Sequence, residues 1–143
     1  MNIFYAAGLF DGEGWFEIHK SSGKKKRMKK EFSFQSRACL QMREKFLVEE
    51  LQEMFGGKIY QYTPKNPKHS ITYKWIVVGR ECYNFSTKIE KYLLAKNKQA
   101  SLIISFQTEK NLNGNKPLSD ERYETYIRNY EEMKKLNKRG IGK

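Results

Sequence analysis

The sequence predicts an α+β domain in the order αββαββα, with a curved antiparallel sheet of four strands that carries helices on one face. Three observations lead there. They are an apolar N-terminal run closed by Gly12 and Gly14, a strict two-residue alternation from Phe32 to Met42, and a return of helical spacing after Gly79.

Asn2 to Asp11 reads as a short helix that the two glycines end, leaving the acids Asp11 and Glu13 at its terminus. From Trp15 the period changes, so that Phe16, Ile18 and Lys20 share one side and Glu17, His19 and Ser21 the other. Ser21 to Lys30 holds a glycine and the basic residues Lys24, Lys25, Lys26, Arg27, Lys29 and Lys30, a turn of the kind most often simply solvated. In the strand that follows, Phe32, Phe34, Ala38, Leu40 and Met42 alternate with Ser33, Gln35, Arg37, Cys39 and Gln41. One face of it is apolar and the other is a row of hydrogen-bonding groups.

Glu44 to Phe55 carries Phe46, Leu47, Leu51, Met54 and Phe55 at helical spacing before Gly56 and Gly57 stop it. Lys58 to Thr63 and Ser70 to Val78 are tyrosine-rich and β-branched, and Pro64, Asn66 and Pro67 turn one into the other. Beyond Gly79, Phe85, Ile89 and Leu93 define one helical face and Ala100, Ile103, Ile104 and Phe106 a second, with Lys96, Asn97 and Lys98 at the joint. Ser119 suits the cap of a last helix, with Asp120 and Glu121 in its first turn and the stripe Tyr123, Tyr126, Ile127, Tyr130 and Met133 beyond.

All of this forms one unit, residues 1–143, with no internal repeat. The 28 lysines and arginines against 16 acids leave a net charge of +12, which points to a polyanionic partner without naming it. Cys39 and Cys82 form no C-x-x-C pair and only His19 and His69 could join them, which argues against a zinc site or a disulfide framework. No apolar run approaches the roughly 20 residues that span a bilayer, and no signal-peptide order precedes the domain. The expectation is a soluble intracellular protein with no membrane partner.

Ala6 to Gly14 resembles the motif that names the LAGLIDADG family of homing endonucleases. It matches at Ala7, Gly8, Leu9, Phe10, Asp11, Glu13 and Gly14, and departs at Ala6, where the family usually has leucine. The residue types have a physical sense of their own. Small side chains at Ala7 and Gly8 let two such helices approach closely, and Glu13 from each would concentrate negative charge at the helix C-termini. A hard divalent cation such as Mg2+ relieves that charge and suits phosphodiester hydrolysis.

The resemblance implies the rest. It makes the chain a metal-dependent DNA endonuclease of the single-motif, homodimeric type, which makes a staggered double-strand break in a long, roughly palindromic site during intron or intein homing. The metal would be held by Glu13 and the carbonyl of Gly12, and the subunits would meet at Ala7, Gly8 and Asp11. Tyr92 to Ala100 is similar to the family's stretch around an active-site lysine, for which Lys96 is the better match and Lys98 the other choice. Gln41, at the end of its strand, resembles the family's water-positioning residue.

In that family the open sheet face curls over the DNA major groove. Parity then nominates Glu17, His19, Ser21, Ser33, Gln35, Arg37, Cys39, Lys58, Tyr60, Tyr62, Thr72 and Lys74 as the DNA-facing set. Each also suits ordinary solvated sheet. Arg37 fits guanine, Gln35 adenine and Lys74 guanine or phosphate, while Lys25, Lys26 and Lys29 would touch phosphate. The alternative is an RNA-binding intron maturase on the same fold, with intron RNA as a partner. A regulator that borrowed the fold would need a further DNA-binding domain, for which the chain has no room. Hosts of such proteins include organelles, bacteria, archaea and phages, and the residues do not choose among them.

Overall fold

The side chain of Asn2 accepts a hydrogen bond from the Tyr5 N–H at 2.9 Å and so begins helix α1, Ile3–Glu13. This computed structural model describes residues 1–22 and 32–138. The helix does not stop at Gly12 as expected from the sequence. It continues through Glu13, and Gly14 closes it in an extended conformation with its N–H on the carbonyl of Phe10. A glycine with helical neighbours on both sides costs some stability but does not by itself end a helix.

Strands β1 (Gly14–Ser22) and β2 (Phe32–Met42) pair antiparallel, with Trp15 opposite Cys39 and Ser21 opposite Ser33. After α2 (Lys45–Phe55) come β3 (Lys58–Tyr62) and β4 (Thr72–Val78). The sheet order is β1-β2-β4-β3, so β4 lies against β2 and the earlier strand β3 is left at the edge. Helix α3 (Gly79–Ile89) runs into a short 3-10 turn, Glu90–Tyr92, and α4 (Asn97–Asn113) and α5 (Asp120–Leu136) follow. Ser119 caps α5 through the N–H of Arg122. Among the described residues no helix is long and apolar enough to cross a membrane.

The expected alternation holds along β1 and β2. Phe16, Ile18, Phe34, Ala38 and Leu40 are buried towards the helices, where Phe10, Trp75 and Phe85 meet them in an aromatic cluster. Burying side chains of this size contributes on the order of 1.5–3 kcal/mol each. Lys20 keeps the same parity and lays its ammonium over the rings of Phe32 and Tyr130. Ser36, also on this side, is buried and donates to Gln107 Oε1 at 2.7 Å, which satisfies a polar group inside the core. One expected core residue differs: Phe46 is 63% exposed, and Val48 and Leu51 provide the fully buried positions of α2.

Candidate active site

The C-terminus of α1 is the first place where polar groups converge. Glu13 is the last residue of the helix and exposed, and among the described residues no hydrogen bond or ion pair engages its carboxylate. Helix carbonyls ending nearby carry partial negative charge, and the last turn contains no basic residue of its own.

The balancing charge comes from far along the chain. Asp11 Oδ2 accepts from the N–H of Leu94 at 2.7 Å, and its Oδ1 accepts from those of Ala95 at 3.1 Å and Lys96 at 3.0 Å. In return the ammonium of Lys96 donates to the main-chain oxygen of Asp11. Lys96 is thereby fixed at the same helix end as Glu13. It is half-buried and stands at the N-cap of α4, whereas Lys98 is exposed within that helix. Of the two candidate lysines, only Lys96 is tied to this end of α1 by a described contact.

Gln41 follows Leu40, which pairs with Gly14, so β2 carries it past the point where α1 hands over to β1. Its side-chain amide donates to Thr72 Oγ1 at 2.8 Å, which holds it on the open face of the sheet.

That face contains the nominated parity set. Pairing places Glu17 opposite Arg37, His19 opposite Gln35, Gln41 opposite Lys74, Tyr60 opposite Lys74 and Tyr62 opposite Thr72. Arg37 Nε donates to Gln35 Oε1 at 2.8 Å, and the hydroxyls of Ser21 and Ser33 lie 2.5 Å apart. Lys58, Tyr60 and Tyr62 are exposed on the edge strand. The register also adds Trp15 and Ile76, both paired with Cys39, which the sequence reading passed over. Lys74 stands over the Trp15 ring with its ammonium 5.5 Å from the centroid. Trp15 has the parity of Glu17 and His19, so their two-residue period extended back by one step reaches it.

Three of the nominated residues have their side chains committed within the chain. Cys39 has the open-face parity but is fully buried, and its thiol is directed at Glu17 Oε1 at 3.9 Å. It fills space beneath the polar row and offers no group at the surface. Burial pushes that thiol up to about 12, with Glu17 adding to the rise. Ala7 is 1% exposed and packs into the chain's own core, so it is not available to a partner helix. Asp11 spends its carboxylate within the chain, on the segment that leads into α4.

Gly8, by contrast, is exposed, and so is Gly12 one turn later. A Cβ built on either would meet nothing within 4 Å. Tyr5, on the same side, is 52% exposed, and Phe4 is 67% exposed although its ring packs edge-on to Tyr92. Lys25, Lys26 and Lys29 lie outside the described residues.

The matching family model is that of the LAGLIDADG endonucleases, over residues 6–107. The chain belongs to the LAGLIDADG endonuclease family. Solved LAGLIDADG structures share its fold. The homing endonuclease I-CvuI, in complex with a DNA target in the presence of magnesium, is 15% identical with a TM-score of 0.76, and covers 99% of this chain and 84% of its own. The archaeal intron-encoded I-Vdi141I, complexed with DNA, is 17% identical with a TM-score of 0.77, covering 97% and 86%. I-GzeII in complex with its DNA target is 21% identical with a TM-score of 0.68 and covers 93% of this chain but 43% of its own. At these identities the likeness speaks for the fold of this LAGLIDADG chain. No curated protein sequence matches significantly.

The donor chemistry fits a hard cation in one respect and is incomplete in another. Glu13 and the carbonyl oxygens at the end of α1 are all oxygen donors. Among the described residues, however, no three His, Cys, Asp or Glu side chains gather around one point. Further oxygens would have to come from a second chain, from a phosphate or from water.

Proposed function

We propose that this LAGLIDADG endonuclease acts as a homodimer, using one Glu13 at each of two scissile phosphates to make a double-strand break in a long DNA site. The observation that carries the reading is the uncommitted Glu13 carboxylate at the same helix end as a tethered Lys96, on a helix whose exposed side includes Gly8 and Gly12.

Coverage supports the dimer. This chain matches most of the I-Vdi141I and I-CvuI chains but about half of I-GzeII, so one chain of the last has room for two such domains. A chain with one motif would obtain the second half from another copy. Gly8 and Gly12 let two α1 helices approach to backbone contact. That approach brings the two exposed Glu13 carboxylates near each other, and these, with the Gly12 carbonyls, would hold the divalent metal.

A bound Mg2+ would supply Lewis-acid polarisation of the phosphate and a more acidic attacking water. The side chains do the remainder. The Lys96 ammonium offsets charge developing on the phosphate oxygens, and Gln41 orients a water by hydrogen bonds from its amide. The polar face of the sheet reads base edges, while the +12 net charge draws the duplex in. The DNA complexes of the solved relatives favour this reading over an RNA-binding maturase.

The test is selection of a cognate site from a randomised duplex library in the presence of Mg2+, followed by cleavage assays on the selected site. Parent protein should cut both strands and stop when the metal is chelated. Glu13→Gln should bind the same site but cut it slower by several orders of magnitude. A Glu13→Gln protein as fast as the parent would remove Glu13 from the active site.

A further inference from the structure

We propose that Asp11 is a positioning residue, a latch that holds the Lys96 loop against the end of α1 and so sets where the lysine ammonium stands. This rests on the reading of Lys96 as a group acting at the cleaved phosphate. The latch works in both directions. The Asp11 carboxylate accepts the three successive N–H groups of Leu94, Ala95 and Lys96, and the Lys96 ammonium donates to the Asp11 carbonyl.

The segment needs such a device because packing does not hold it. Leu93 is buried, but Leu94 is 89% exposed and Ala95 is exposed as well. With no apolar anchor over those two residues, the carboxylate is what orders their backbone. Both of its oxygens are used, and hydrogen bonds to an ionised acceptor are about twice as strong as neutral ones. An amide cannot replace it, since its NH2 would face an N–H. Asp11 therefore connects α1, the helix assigned to the dimer, to the loop carrying the lysine.

The experiment is a double-mutant cycle on the selected DNA site, read as single-turnover cleavage in Mg2+ at saturating protein. Asp11→Asn and Lys96→Ala should each slow the cut by roughly tenfold or more, and the double variant should be no slower than Lys96→Ala alone. Affinity for the site without metal should match the parent throughout. A merely structural loss would multiply with the lysine loss instead of disappearing into it. Effects that multiply, or an Asp11→Asn protein as fast as the parent, would overturn the latch while leaving Lys96 in place. A Lys96→Ala protein as fast as the parent would instead remove the lysine from the reaction, and the proposal with it. Should Asp11→Asn fail to fold, the same cycle with Asp11→Ser, which keeps one acceptor, is judged by the same outcomes.

Discussion

Ala7 and Gly8 are neighbours in the chain but face differently on α1: the methyl of Ala7 is sealed into the core, while Gly8 is exposed with clear space around it. The small pair therefore divides into one residue chosen for the fold and one left for a second helix.

Gly8→Leu should leave the isolated fold intact, and gain up to about 1 kcal/mol of helix propensity, because nothing in the chain obstructs the side chain. Light scattering should then find a monomer, and cleavage should be lost. Ala7→Leu should do the opposite, overpacking the core at a cost of about 1–3 kcal/mol or more and lowering the melting temperature. A dimeric, active Gly8→Leu protein would exclude this face of α1 from the interface.

Specificity should be coupled between Arg37 and Gln35, since the amide oxygen holds the guanidinium at 2.8 Å. Arg37→Ala should relax selection at one base position, and Gln35→Ala should blur the same position by freeing the arginine. Neutralising Lys25, Lys26 and Lys29 should weaken all sequences alike and reduce the dependence of binding on salt. Profiling on randomised sites distinguishes the two effects.

Alkaline stability should be governed by the buried thiols. Burial raises Cys39 and Cys82 from 9.0 to about 12, so above pH 9 the unfolded chain gives up protons that the folded chain retains. Stability present below pH 9 is thus lost as pH climbs towards 12, by at most about 1.4 kcal/mol per pH unit for each thiol. Lys110, lowered from 10.5 by burial, acts in the opposite direction and offsets part of the slope. Urea denaturation at intervals above pH 8 should reveal the fall, and replacing both cysteines with alanine should flatten it.

Gly57→Ala should be costly. The backbone there has φ of +93°, and an added Cβ would stand 2.5 Å from the Ile76 carbonyl and 2.7 Å from Val77. A loss of about 1–3 kcal/mol, read as a lower melting temperature, is expected from strain alone, with the clash adding to it.

The alternation in β1 and β2 was legible because each strand has one dry side, and a period of two then assigns most residues between Trp15 and Gln41 outside the turn; Cys39, buried on the polar side, and Lys20, exposed on the apolar side, escape it. Helix α1 was legible as a helix but not in its length, since Gly12 is permissive of a turn without demanding one. Phe46 misled because hydrophobicity at helical spacing does not say which of two adjacent stripes meets the sheet. The strand order, with β4 and not β3 against β2, depends on contacts between distant segments that no local pattern records. The tie between Asp11 and Leu94–Lys96 was hidden for the same reason. Both ends of it were already candidates, for a partner helix and for the phosphate, and nothing in either segment announces that they meet.

The strict alternation in β2 also limits how such a protein can change its preferences. Phe34, Ala38 and Leu40 face the core while Gln35, Arg37 and Gln41 stand between them on the other side. Deleting or inserting a single residue would exchange the two sets, exposing phenylalanine and burying arginine. Point substitutions at Ser33, Gln35, Arg37 and Gln41 leave the interior untouched, whereas Cys39 between them is itself buried. A lineage can therefore rewrite this surface one letter at a time over an unchanged core, but it cannot slide the surface along to a new frame.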